Sequence, residues 1–88
     1  MYAIEWVSAA LRDFERLARR APGEDVDRIQ KAVDSLSESP RPRGTVKIAG
    51  EEDAYRVRVG HYRVIYSIDD RARKVVIVKV AARGAAYR

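Results

Sequence analysis

The sequence predicts a single α+β domain over residues 1–88: a strand, a two-helix hairpin, then a three- to four-stranded, mostly antiparallel sheet. Three observations predict it. The apolar residues change from alternation to helical spacing near Ser8, and back to alternation near Thr45. Proline and glycine interrupt the chain between the helices, at Pro22-Gly23, and just before the second change, at Pro40, Pro42 and Gly44. A chain of 88 residues has room for one modest core.

Each element follows in order. Tyr2, Ile4 and Trp6 alternate with Ala3, Glu5 and Val7, as in a half-buried strand. Ser8 is placed to cap a helix, and Leu11, Phe14, Leu17 and Ala18 follow at helical spacing. Ala21-Pro22-Gly23 stops it. A second helix is predicted from about residue 24 to 37, with Val26, Ile29, Val33 and Leu36 on one stripe. Asp25 and Asp27 sit near its positive N-terminal end, and Ser39-Pro40-Arg41-Pro42 terminates it. Residues 45–48 form a short strand candidate, closed by Gly50 and the acidic turn Glu51-Glu52-Asp53. Residues 55–59 and 62–68 read as a hairpin around Gly60-His61. After a turn at 69–73, the Val/Ile-rich run 74–80 suits a central strand, with 81–88 a short extended tail. Trp6, Phe14, Tyr55, Tyr62 and Tyr66 are assigned to the core, and Tyr2 to core or edge.

Composition excludes several chemistries. There is no cysteine and one histidine, so neither a disulfide framework nor a thiolate metal site is expected, and no metal is called for. Nothing resembles a phosphate-binding loop, a dinucleotide fingerprint or a Ser/His/Asp triad, so no cofactor is expected. The opening Met1-Tyr2-Ala3-Ile4-Glu5 lacks a secretory leader's basic start and apolar run, and no apolar stretch approaches the ~18 residues of a membrane span. A cytoplasmic protein without a membrane partner is expected. Charge is unevenly spread: residues 1–38 carry 6 Lys/Arg against 8 Asp/Glu, and residues 39–88 carry 12 against 5, so nets of −2 and +7 make up the total of +5. Such a basic half suits a polyanion.

Alternation places that charge. Tyr55, Val57 and Val59 point one way and Arg56 and Arg58 the other; Tyr62, Val64, Tyr66 and Ile68 share a face opposite His61, Arg63, Ile65 and Ser67. Helices cover one face only, so the apolar set is core and Arg56, Arg58 and Arg63 project from the open side. Lys79, Ala81 and Arg83 share a parity, so Lys79 and Arg83 join them if register allows, with Tyr87 just beyond. Guanidinium forks match phosphate oxygens in pairs and stabilise charge that builds on phosphorus during cleavage.

The run Tyr55-Arg56-Val57-Arg58-Val59-Gly60-His61-Tyr62-Arg63-Val64-Ile65-Tyr66 resembles the signature of the RelE/ParE superfamily of toxins. The likeness extends to the opening Ile4-Glu5-Trp6-Val7-Ser8-Ala9-Ala10, to Val46-Lys47-Ile48-Ala49-Gly50, and to the closing Ala82-Arg83-Gly84-Ala85-Ala86-Tyr87-Arg88. It implies a RelE-like fold and, for the RelE branch, a toxin that cuts mRNA in the ribosomal decoding site. Cleavage is implied to be metal-free, by attack of the ribose 2′-hydroxyl on the adjacent phosphate. Carried over by position, Arg63 stabilises phosphate charge, Arg83 does the same or serves the leaving group, and Tyr87 stacks on a base or orients the nucleotide. Arg56 and Arg58 stand where well-studied members place lysines; with Lys47 and Lys79 they are assigned to RNA contact. Guanidinium stays protonated, so neither arginine acts as a general base. His61, Glu51, Glu52 and a ribosomal or water group remain candidates, and His61 has a suitable intrinsic pKa. A cognate antitoxin, the ribosome and mRNA are the implied partners, with operator DNA bound only through the antitoxin. Two alternatives keep the fold: the ParE branch, which poisons DNA gyrase, and an inactive antitoxin-binding relic.

Overall fold

The switch from alternation to helical spacing and back becomes β1 (Ala3–Trp6), α1 (Ser8–Ala18), α2 (Gly23–Ser35), β2 (Val46–Lys47), β3 (Ala54–Val59), β4 (Tyr62–Asp69) and β5 (Lys74–Ala82) in the computed structural model, which describes residues 1–51 and 53–82. The five strands make one sheet in the order β1-β5-β4-β3-β2. β2 to β5 pair antiparallel, whereas β1 lies parallel to β5. The helical hairpin therefore carries the chain across one sheet face, from the β1 edge to the β2 edge. This is the expected α+β architecture, with a five-stranded mixed sheet.

The core lies between that hairpin and the sheet. Ala10, Ile29, Val33 and Leu36 descend from the helical layer onto Val57, Val59, Val64, Tyr66, Ile68, Val75, Ile77 and Val80. Phe14 and Leu17 pack at its margin, and the Phe14 ring lies 5.4 Å from that of Trp6. The α1 stripe is thus Ala10, Phe14 and Leu17 rather than the one containing Leu11 and Ala18. Leu11, about 100° round the helix from Ala10, is 44% exposed. Ser8 is not the cap either. Val7 holds that position in extended backbone while its N–H donates to Ile77 O at 3.1 Å, so sheet pairing sets the start of α1.

Two local features set the open face. The β3–β4 connection is the two-residue Gly60-His61 turn, with Gly60 at φ 60° and His61 outside the positive-φ region, as a type II′ turn requires. In β5 the pairing slips opposite Ile65 and Tyr66, which face Lys79 and Ile77, leaving Val78 as an extra residue.

Candidate nucleic-acid interface

Register builds the site on the sheet face away from the helices. A two-residue turn closed by Val59–Tyr62 puts Arg58 directly opposite Arg63, with Cβ atoms about 4.5–5.5 Å apart. In the next row Arg56 faces Ile65, which faces Lys79, and on the other side of Arg63 lies Ala81. Arg56, Arg58, Arg63 and Lys79 therefore share one end of the open face. Like charges directly opposite on a sheet lower stability, a penalty that a bound anion relieves. The acids lie at the other end, where Asp53, Asp69 and Asp70 join Ser67, Lys74 and Val76 around a cavity of about 530 Å³. The face is graded from cationic to mixed charge.

Lys79 belongs to this face because of the bulge. Val75 and Ile77 are core residues of the same odd parity, so an unbroken strand would turn Lys79 toward the helices. The extra residue reverses the parity: Val78 and Lys79 are both exposed and Val80 is buried. Lys47 departs from expectation. It pairs with Tyr55, which pairs with core residue Tyr66, so Lys47 lies on the helix side of edge strand β2, and Val46 takes the position facing Arg56. Lys47 thus lies apart from the four cations of the open face.

Arg63 lies on the open face but is not open to solvent, retaining 6% of its accessible surface, whereas Arg58 is exposed. β4 is the central strand, so a side chain there is flanked on both sides. The candidate bases separate. His61 is exposed in the turn next to the Arg58–Arg63 pair, whereas Glu51 lies in the loop before β3, at that strand's far end. Arg83, Tyr87 and Glu52 lie outside the described residues. Among the described residues no group of three or more histidines and carboxylates is placed to hold a metal ion, and no helix is long and apolar enough to cross a membrane.

Sequence reasoning missed a polar chain that fastens the loop between α2 and β2 over the helix-side face of β3 and β4. Asp70 accepts a 2.6 Å hydrogen bond from Tyr2 Oη and a 2.8 Å charged bond from Arg41. Those bonds hold its carboxyl below the usual range, that from Arg41 contributing most. Arg41 also lies 5.1 Å over the Tyr55 ring, which stacks 6.1 Å from Tyr66. Tyr66 is fully buried and donates to Pro40 O at 2.8 Å, with Thr45 Oγ1 at 3.3 Å. Burial pushes its phenol pKa up, so it stays a neutral donor. At the other end of the hairpin Tyr62 Oη donates to Asp25 at 2.8 Å, tying α2 to β4 and raising the Tyr62 pKa. The Tyr62 tie lies on the helical side and the Asp70 tie at the end of β4 away from Arg63, so both leave the Arg58–Arg63 end of the open face clear. Contacts between residues 2, 41, 55 and 70 have no local periodicity, so no sequence signal announced them.

A family model described as the ParE toxin of type II toxin–antitoxin systems, parDE, matches residues 4–87. The chain belongs to this ParE toxin family. The ParE-family chain is also similar to Toxin RelE of Mycobacterium tuberculosis, at 31% identity over 87 residues covering 99% of this chain and 87% of that protein. Among solved structures, the archaeal RelE–RelB complex from Pyrococcus horikoshii OT3 contains a chain 28% identical to it. The TM-score is 0.78, with 94% of this chain and 96% of that one covered. The toxin–antitoxin complex RelBE2 from Mycobacterium tuberculosis gives 27% identity and a TM-score of 0.76, with coverage of 93% and 98%. The resemblance of the hairpin motif is thus upheld along nearly the whole chain: this is a type II toxin of the RelE/ParE superfamily with a RelE-like fold.

Proposed function

We propose that this toxin is a ribosome-dependent endoribonuclease that cuts mRNA without a metal ion in the cytoplasm and is silenced by a cognate antitoxin. The observation that carries the reading is the facing pair Arg58–Arg63, with Arg56 and Lys79 in the next row of a helix-free sheet face. A single strand crossing that face meets cations from three adjacent strands. In the reaction the ribose 2′-oxygen bonds to phosphorus, the bond to the 5′-oxygen breaks, and the products carry a 2′,3′-cyclic phosphate and a 5′-hydroxyl. Arg63 is assigned to the charge that accumulates on the phosphoryl oxygens, with Arg58 and Arg56 holding flanking phosphates. Arg83 is assigned to the same charge or the leaving oxygen, and Tyr87 to the base beside the cut. The 2′-hydroxyl proton is assigned to His61, in the turn next to the Arg58–Arg63 pair, with Glu51, Glu52 and a ribosomal or water group as the other acceptors. The RelE–RelB and RelBE2 complexes among the similar structures support an antitoxin as partner. The antitoxin would also supply any contact with operator DNA.

The test is induced expression followed by mapping of mRNA 5′ ends. Codon-phased cuts ending in a 5′-hydroxyl are expected, together with growth arrest that Arg63→Met and Arg83→Ala each relieve. Methionine retains most of the buried stem of Arg63 while removing its charge. Arrest with an SOS response and no cuts would move the reading to gyrase, harmless expression to an inactive relic. Unchanged toxicity in both variants rejects the roles given to Arg63 and Arg83.

A further inference from the structure

The outer surface of the helical layer carries a second group of cations. Arg12 and Arg16 of α1, and Arg19 at its C-cap, are all exposed. They fall within about 60° of one another round the helix axis, and the core residues Ala10, Phe14 and Leu17 centre about 160° away. The stripe therefore points away from the sheet. Its steps along the axis are about 6 and 4.5 Å, so the three long side chains reach successive phosphates of one strand. Exposed Ser8 and Glu15 complete this face.

The fold makes no use of these charges. Among the described residues none of the three arginines takes part in an ion pair or a side-chain hydrogen bond, unlike Arg41, which Asp70 holds. The helix dipole favours Arg16 and Arg19 near the C-terminus, but Arg12 stands more than a turn from it. The net of −2 over residues 1–38 conceals the stripe. Glu24, Asp25, Asp27, Asp34 and Glu38 lie on α2 or just beyond it, whereas residues 8–20 carry four arginines against Asp13 and Glu15. No aromatic ring lies on this face, since Phe14 turns inward to Trp6. Single-strand sites stack bases on such rings, and protein interfaces bury an apolar centre; the stripe has neither. A row of guanidinium groups alone suits the phosphate edge of a double helix.

We infer that the α1 stripe docks on the backbone of a double-stranded RNA stem while the opposite sheet face holds the single strand that is cut. The inference rests on the ribonuclease reading and names the kind of folded RNA the toxin meets around its target. The two surfaces lie on opposite sides of a molecule 26 Å across its shorter axes, so one short strand occupies only one of them. An RNA assembly that presents a stem and a strand engages both, and the second contact is then intramolecular. Free mRNA gains the sheet-face contacts alone. Dependence on the ribosome thereby acquires a physical basis.

Fluorescence anisotropy tests it. The probe is a labelled RNA hairpin whose stem spans about one helical turn, added to protein whose sheet face is saturated with a short unlabelled single-stranded RNA. The stem is expected to bind the saturated protein. Arg12→Gln, Arg16→Gln and Arg19→Gln together are expected to reduce the salt slope of stem binding by about 2.7 and to leave the single-strand slope unchanged. A matched variant with Lys31→Gln, Arg43→Gln and Arg71→Gln removes as many exposed charges elsewhere, and its stem slope is expected to stay close to the parent's. All six positions are exposed, so both variants should melt as the parent does. Displacement of the stem by the single strand, or equal slopes in the two variants, overturns the proposal. Tighter binding of a DNA stem of the same sequence, or of polyglutamate in place of the stem, overturns it in favour of those partners. A protein that binds the stem through α1 but cuts no mRNA refutes the nuclease reading alone.

Discussion

Replacing Arg58 by alanine tests the cationic face quantitatively. Arg58 is exposed and pairs across the sheet with Arg63, so its removal relieves a like-charge contact of about 0.2–1 kcal/mol. The fold is therefore expected to be as stable as the parent or slightly more so. RNA affinity should move the other way. If Arg56, Arg58, Arg63 and Lys79 each neutralise one phosphate, log K for single-stranded RNA falls against log salt with a slope of about −2.8. Between 50 and 200 mM salt the parent then loses roughly 50-fold in affinity. With three contacts the slope is about −2.1 and the loss roughly 20-fold. Fluorescence anisotropy with a short labelled RNA at four or five salt concentrations measures both slopes, and thermal melting reports stability. A variant slope equal to the parent's, in a protein that melts at the same temperature or higher, would refute the placement of Arg58 in a phosphate-binding row. Lys47→Ala is the matched control: it removes an exposed cation that faces the helical side, and the slope should not change.

Two further outcomes test the frame. Tyr66→Phe keeps the buried ring and leaves Pro40 O without its donor, which should lower stability by ~1–3 kcal/mol and Tm by about 4–8 °C for each kcal/mol. A melting temperature within a degree of the parent would mean that solvent replaces this bond. Asp70 has a folded-state pKa depressed below its ordinary value of 3.8 by Arg41 and Tyr2, so its contribution is complete above that value and is lost as pH falls through the lower folded pKa. Asp70→Asn should therefore reduce stability at neutral pH and flatten the acid limb of the Tm–pH curve. An unchanged acid limb would show that the pair is inert in solution.

Each strand and helix was legible in the sequence to within a few residues, because alternation and helical spacing are properties of consecutive side chains. Legible in the same way was the common face of Arg56, Arg58 and Arg63, because a two-residue turn preserves parity across the hairpin. The remainder depended on pairings between distant segments. Lys79 reaches the cationic face only through an extra residue whose position is set by β4. Lys47 is turned away by the register of a two-residue edge strand, Arg63 is buried by its place on the central strand, and Leu11 is exposed by the helix rotation that packing selects. The parallel pairing of β1 and the polar chain from Tyr2 to Tyr66 also join residues far apart in sequence. Local periodicity encodes which face a side chain can take. Strand order, register and burial emerge only when the chain closes on itself, since those energies belong to contacts between elements.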